Sequence, residues 1–316
     1  MTGVPWERSV DVERIDVPAR PIRAFCNDTS SDLRASIGKI ETWMGRPLPA
    51  SSRFHLALAE LDRLAQKGDF DVDPATRERG MRAIQLALDM FAIAEALPAE
   101  RIADLRRDLE ACAAGTLVPS GADFVPLQAQ SQLIVRAALY RAGVAPSQPT
   151  HSGSGGRKKP DILIENGLSE YAIEVKRPTV LKNALPRAKD AAEQLDGAEM
   201  KGGIVIDVTD SVGNAEEADA AVVAQADRIS AEFFTHGEGW KPGCRHVMMV
   251  GVIARPAWHY VPSGQKEGQV MIHSTSCVAA FGTKRGTLDT LHSHWMREKL
   301  NLGLNKLGFT SSEATA

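Results

Sequence analysis

From residue 126 onward, apolar runs typical of strands alternate with patterns typical of helices, and this alternation most constrains the fold of the chain. A helical pattern over 126–142 precedes two strand-like runs, "DILIE" and "EYAIEVK", and these are followed by helix, strand, helix and strand in turn. Asn166-Gly167, between the two runs, is a strong signal for a hairpin turn. This order predicts a mixed sheet covered by helices, which is an α/β core.

The N-terminal part of the chain has a different texture, because helical patterns follow one another there without strand signals. Leu58, Leu61 and Ala65 recur at helical spacing, and the pattern stops at Gly68. The predicted organisation is an extended polar arm (1–29), an all-helical domain of about four helices (30–118) and the α/β domain (119–316, with its core at about 122–262).

Composition limits the classes of function. The 316 residues carry a net charge of −3, so no overall field attracts the chain to nucleic acid or to anionic lipid. No signal peptide and no membrane-spanning run is predicted. The four scattered cysteines are typical of reduced thiols in a cytoplasmic protein. Any affinity for nucleic acid must therefore come from a local basic patch.

Three polar residues of the predicted hairpin suggest metal chemistry. Asp161 follows Pro160 at the head of the first strand, and Glu174 and Lys176 share one face near the end of the second. Mg²⁺ prefers hard oxygen ligands, usually one or two carboxylates with water and substrate phosphate. Lys176 could then orient a water or stabilise developing charge, and Val175 could offer its backbone carbonyl as a further metal ligand.

A simpler interpretation is a hairpin with charged residues on its solvated face. The spacing alone is weak evidence, because Glu199-Met200-Lys201 also has a carboxylate two residues before a lysine. That second match ends a helical pattern, whereas Glu174 and Lys176 end a strand. The preceding helix and loop, the hairpin, and a following helix that carries Gln194 all favour the metal site.

With these residues the chain resembles the PD-(D/E)xK nucleases, which have the restriction-endonuclease-like fold. The matching motif is Pro160-Asp161 followed by Glu174-Val175-Lys176, and the hairpin is similar to that in the nuclease domain of type I restriction motor subunits. The family order of helix, three-stranded meander, helix and strand fits residues 122–208. The resemblance implies a restriction-endonuclease-like mixed sheet flanked by helices, here preceded by the helical N-terminal domain.

The resemblance also implies roles for individual residues. Asp161 and Glu174 are implied metal ligands, Lys176 the catalytic lysine, and Gln194 the glutamine that many members carry on the next helix. Many members have a glutamate on the first helix where this chain has Gln132. A glutamine carbonyl can still bind a metal or its water, so Gln132 is a candidate ligand, and the change puts a second metal site in doubt.

A local excess of positive charge surrounds the hairpin. Residues 151–189 contain eight lysines and arginines against four acids. Phosphate contacts are expected from such a patch, although a charge run is often only a solvated face. The candidate nucleic-acid contacts are Arg157, Lys158, Lys159, Arg177 and Lys182.

The function that these features predict is Mg²⁺-dependent hydrolysis of DNA, with Mn²⁺ able to substitute, in a cytoplasmic setting of defence or mobile elements suggested by analogy. RNA remains open as the substrate, because no base-reading motif is visible. The alternative is a nuclease-fold module that has lost catalysis and serves as a nucleic-acid-binding or scaffolding subunit, with Gln132 as its main support. A protein bound by the helical domain and a second copy of the chain are further candidate partners, and no membrane is expected.

Overall fold

A computed structural model of the chain describes residues 6–70, 73–118, 124–147, 159–167, 169–212, 215–261, 268–283 and 287–309. The helices are α1 (Ile22–Met44), α2 (Arg53–Lys67), α3 (Pro74–Ala96), α4 (Ile102–Ala113), α5 (Val125–Arg141), α6 (Ala184–Ala198), α7 (Ala215–Phe233) and α8 (Leu288–Asn305). The strands are β1 (Trp6–Pro21), β2 (Ile162–Asn166), β3 (Ser169–Lys176), β4 (Gly202–Asp207), β5 (Phe234–Thr235), β6 (Gly239–Trp240), β7 (Val247–Val261) and β8 (Gln269–Thr283).

Six of these strands form one mixed sheet in the order β1-β8-β7-β4-β3-β2. Strands β2 and β3 are antiparallel, whereas β3 is parallel to β4 and β4 is parallel to β7. Helix α6, which connects β3 to β4, packs on both of them. The predicted α/β core, a mixed sheet flanked by helices with further helices in the N-terminal part, is confirmed.

The chain divides into two compact units, and each combines segments that are distant in sequence. The first unit comprises Met1–Ile15, Ala138–Ala254 and Ser274–Lys306. The second unit comprises Asp16–Ala137, Arg255–His273 and Leu307–Ala316. The boundary predicted near residue 118 therefore falls inside the second unit, because the first part of α5 belongs to that unit.

The hairpin forms where the sequence predicts it. Gly167 lies in the turn with a φ of 66°, a left-handed conformation that glycine adopts without a steric penalty. The register pairs Ile162 with Ile173 and Glu165 with Glu170. Asp161, which directly precedes β2, is thereby brought beside the end of β3.

The parallel pairing of β3 with β4 depends on a glycine at the start of β4. A Cβ atom at Gly202 would lie 1.9 Å from the backbone oxygen of Ala172, so only glycine allows the two strands this close an approach. The resulting register places Lys176 opposite Ile206. The carboxyl ends of β3 and β4 therefore lie side by side.

The N-terminal segment differs from the predicted arm. Residues 6–21 are extended as expected, but they form β1 at the edge of the sheet, and α1 begins at Ile22. Arg8 and Arg14 of β1 form ion pairs with Asp227 and Asp219 of α7. Two charges of the predicted polar arm are thus paired with residues about two hundred positions away.

Two further features concern the strands. Residues 258–261, whose sequence favours a separate strand, continue β7, which runs without interruption from 247 to 261. The short strands β5 and β6 pair as a small second sheet. Among the described residues, no helix combines the length and the apolar character needed to cross a membrane.

Candidate active site

The end of the hairpin brings the three motif residues together in the first unit. The backbone N–H of Val175 donates a hydrogen bond of 2.9 Å to Oδ2 of Asp161. The ammonium group of Lys176 donates to Oε2 of Glu174 at 2.9 Å and lies 3.5 Å from Oδ2 of Asp161. The strand alternation that places Glu174 and Lys176 on one face thus produces one cluster of two carboxylates and one amine.

Helix α6 supplies the fourth predicted residue. The side chain of Gln194 is half-buried, and its Oε1 accepts a hydrogen bond of 2.6 Å from Nζ of Lys176. Leu195 and Ala191, which are buried on the same helix, hold α6 against β3 and β4. Gln194 therefore holds the amine of Lys176 from a second element, helix α6.

Burial determines the electrostatics of the cluster. The side chain of Glu174 is 1% exposed, whereas those of Lys176 and Asp161 are 15% and 19% exposed. Burial, followed by repulsion from Asp161, raises the pKa of Glu174 to about 7, although the charge of Lys176 opposes this rise. In the described part of the chain, Oε1 of Glu174 has no hydrogen-bond partner.

These properties fit a divalent cation. A buried carboxylate oxygen without a partner is costly, and a cation on that oxygen would remove both the cost and the repulsion from Asp161. Two carboxylates suit Mg²⁺, which keeps several waters and uses few protein ligands. Among the residues that the structure describes, no group of three or more His, Cys, Asp or Glu side chains offers an alternative metal site.

The other predicted ligands have less support. The side chain of Val175 is fully buried and its N–H is bonded to Asp161, and the role of its carbonyl stays a prediction. Gln132 lies on the part of α5 that belongs to the second unit, where its side chain is half-buried. Its role as a metal ligand also stays a prediction.

The predicted nucleic-acid contacts fall into three groups. Arg157 and Lys158 lie outside the described residues. Lys159 and Lys182 have exposed side chains, as a phosphate contact requires. Arg177 differs, because its side chain is 1% exposed and its guanidinium group is bound by the carboxylates of Asp207 and Asp210. In this structure the guanidinium of Arg177 binds Asp207 and Asp210, whereas the sequence predicted a contact with phosphate.

Asp207 and Asp210 are the residues near the site that sequence reasoning missed. Asp207 ends β4, an otherwise apolar strand, and Asp210 lies in the turn that follows it. The carboxyl ends of adjacent parallel strands meet at one edge of a sheet. An aspartate at the end of the strand after the motif was therefore a signal that could have identified the partner of Arg177.

Comparison of the chain with protein-family models, with curated proteins and with solved structures gave no match.

Proposed function

We propose that the chain is a Mg²⁺-dependent nuclease that hydrolyses phosphodiester bonds, with DNA as the preferred substrate. The observation that carries the proposal is the cluster of Asp161, Glu174 and Lys176, in which Oε1 of Glu174 is buried and has no hydrogen-bond partner among the described residues. The cation would neutralise negative charge on the substrate phosphate and lower the pKa of a bound water. Asp161 and Glu174 would hold it.

The residues of the chain have separate tasks in this proposal. Lys176 keeps Nζ between the two carboxylates, where it can stabilise the negative charge that develops on the phosphate. Gln194 accepts a hydrogen bond from that amine and so limits its rotation. Lys159 and Lys182 are exposed cations that can contact the phosphates on either side of the scissile bond.

The order of elements supports a restriction-endonuclease-like arrangement. Helix α5, the β2–β3 hairpin, helix α6 and a strand parallel to β3 follow one another in the order that the resemblance implies. Ser147 adds a further antiparallel bridge to β2, through hydrogen bonds of 2.8 and 3.0 Å with Leu163. This bridge lies where the first strand of the three-stranded meander is expected.

The test is cleavage by the purified chain. Supercoiled, linear and single-stranded DNA and RNA are each incubated with Mg²⁺, Mn²⁺ or EDTA. We expect metal-dependent cleavage that falls about 10²–10³-fold in Lys176→Ala. The control is Lys39→Ala, which removes an exposed lysine of the second unit that pairs with Glu95, and it should retain full activity. Cleavage that persists in Lys176→Ala would contradict this site, and the substrate panel identifies DNA or RNA as the target.

A catalytically inactive nuclease-fold subunit that binds nucleic acid or scaffolds a complex is the second candidate. Gln132 favours it, because many members of the resembling family have a glutamate there. On this alternative, the wild type and Lys176→Ala bind DNA equally and neither cleaves it. The nuclease proposal also includes a cytoplasmic setting of defence or mobile elements, a protein partner for the N-terminal helices and a homodimer.

A further inference from the structure

Lys176 is the last residue of β3 and Arg177 follows it directly, and the two basic side chains make different contacts. Lys176 contacts Glu174 of its own strand and Gln194 of α6. Arg177, the next residue, contacts Asp207 and the turn after β4. These contacts hold the backbone at the end of β3 from two other elements, helix α6 and the turn after β4.

The contacts of Arg177 form a closed, fully buried cluster. Nε and Nη2 donate to the two carboxylate oxygens of Asp210 at 2.6 and 2.9 Å, a bidentate geometry, and Nη1 lies 3.4 Å from Oδ2 of Asp207. The side chains of Arg177, Asp207 and Asp210 are at most 4% exposed. A guanidinium that left this cluster for a phosphate would take a bidentate contact away from the buried carboxylate of Asp210, which is strongly unfavourable.

The turn that receives Arg177 is itself held in place. Oδ1 of Asp207 accepts hydrogen bonds from the backbone N–H and the hydroxyl of Thr209. The hydroxyl of Ser211 donates to the backbone oxygen of Pro178 at 2.9 Å. Two contacts therefore connect the end of β3 to the turn after β4. One is the side chain of Arg177, and the other is the hydrogen bond from Ser211 to the backbone oxygen of Pro178.

We propose that Arg177 is a positioning residue, whose buried bidentate contact with Asp210 fixes the end of β3 and thereby holds Nζ of Lys176 beside the carboxylates of Asp161 and Glu174. The inference rests on the proposed nuclease function. Arg177 then aligns the site and does not contact the phosphates of the substrate. A misplacement of about 1 Å in a reacting group can reduce a rate about 10²-fold, so such alignment has a measurable effect.

The first test compares Arg177→Lys with Arg255→Lys in the full chain. Lysine keeps the positive charge but cannot make the two parallel hydrogen bonds. Arg255 is an equally buried arginine of the second unit, 3.9 Å from Asp89, so its replacement is a matched control for the loss of a buried guanidinium. Both variants should melt at a lower temperature. Arg177→Lys should lower kcat about 10–100-fold with KM and DNA affinity unchanged, and Arg255→Lys should leave kcat unchanged at a temperature where it is folded.

A second measurement needs no catalysis. The amide N–H of Val175 donates to Asp161, so its NMR resonance reports the alignment of the hairpin end. We expect this resonance to shift in Arg177→Lys and to stay in place in Arg255→Lys. If the wild type does not cleave nucleic acid, the nuclease proposal fails, and the Val175 resonance still decides whether Arg177 aligns the site.

Ser211→Ala is the milder variant if Arg177→Lys does not fold. It removes the bond to the oxygen of Pro178 and should shift the Val175 resonance in the same direction, with a smaller fall in kcat.

Two results would overturn the proposal. If Arg177→Lys weakens DNA binding while the Val175 resonance stays in place, Arg177 is a phosphate contact, because lysine keeps the charge but loses the bidentate hydrogen bonds to a phosphate. If it lowers the melting temperature while kcat and the Val175 resonance stay unchanged, its role is structural only.

Discussion

The two units contain groups of buried charges that differ in composition and in access to solvent. In the first unit, two carboxylates surround one amine, and the side chains of Asp161 and Lys176 are partly exposed. The second unit contains a buried network, defined here as Arg53, Asp89, Gln130 and Arg255, in which two guanidinium groups accompany one carboxylate.

In the buried network of the second unit, the arginines also contact neutral groups. Arg53 donates to the backbone oxygen of Cys112 at 3.0 Å, and Arg255 donates to that of Gly308 at 2.9 Å. The guanidinium of Arg255 also lies 4.4 Å from the ring centroid of Phe309, a cation–π contact. All of these polar side chains are almost fully buried. The network therefore stabilises the fold of the second unit and offers no accessible site for a ligand.

The comparison shows two groups of buried charges that differ in which sign of charge is in excess. In the buried network two guanidinium groups outnumber the one carboxylate, so removal of the carboxylate should lower the free energy of unfolding. In the candidate active site the carboxylates are in excess, and the pKa of Glu174 is raised because its charge is poorly compensated. Removal of that carboxylate should therefore stabilise the protein when no metal is bound.

The largest expected effect is that of Asp89→Ala. This change removes the carboxylate that accepts a hydrogen bond of 2.6 Å from Gln130 and that lies beside Arg255. The guanidinium is left buried without its counter-charge, so the free energy of unfolding should fall by about 3–5 kcal/mol in urea titrations. Asp190→Ala, in an exposed pair with Arg187, is the control and should cost less than about 1 kcal/mol. Equal losses in the two variants would remove the distinction between the network and an ordinary surface pair.

Glu174→Gln should have the opposite sign in metal-free protein. The ordinary pKa of 4.5 rises to about 7 on folding, so the folded chain binds this proton more tightly than the unfolded chain. The stability that Glu174 contributes is complete below about pH 4.5 and is lost as the pH rises through about 7. Near pH 8 the glutamine variant should be up to about 3 kcal/mol more stable than the wild type. The measurement is urea unfolding with EDTA from pH 4.5 to 8, and a difference independent of pH would contradict the raised pKa.

Metal binding should stabilise the wild type through the same carboxylates. A Mg²⁺ concentration about ten times the dissociation constant raises the free energy of unfolding by about 1.4 kcal/mol. Asp161→Ala should abolish this gain. Asp62→Ala, which removes a carboxylate of the second unit that pairs with Arg34, should retain it. Thermal melting with increasing Mg²⁺ or Mn²⁺ measures the effect, and an equal gain in both variants would place the metal elsewhere.

The smallest expected effect is that of Gln194→Ala. It removes one acceptor from the amine of Lys176, which still donates to Glu174. The loss of stability should be about 1 kcal/mol, the usual net value of one hydrogen bond. Urea unfolding beside Gln128→Ala, a half-buried glutamine of α5, provides the comparison. A loss above about 3 kcal/mol would show that Gln194 supports the fold itself rather than the orientation of one side chain.

Local signals in the sequence were sufficient for the hairpin and for the cluster that it carries. Asn166-Gly167 predicted the turn, and the period of two along a strand predicted that Glu174 and Lys176 share a face. Helix α2 likewise begins after Ser52, whose side chain accepts from the N–H of His55, and ends at Gly68. These features depend on neighbouring residues only, so the sequence was enough to predict them.

Partners far apart in sequence could not be predicted in the same way. The first 29 residues predicted an extended polar arm, because nothing near Arg8 and Arg14 indicates that α7 provides their partners. Asp89 lies in α3, and no nearby residue indicates that it is buried beside Arg255. In both cases the folded chain brings together opposite charges that are far apart in sequence.

Local signals account for the α/β character, the hairpin and the shared face of Glu174 and Lys176, because backbone preferences and side-chain alternation act over a few residues. The contact of Gln194 with Lys176, the binding of Arg177 by Asp207 and Asp210, and the position of β1 in the sheet come from the folded chain. Each of these contacts depends on the order and register of strands, and packing sets these over distances that no short stretch of sequence covers.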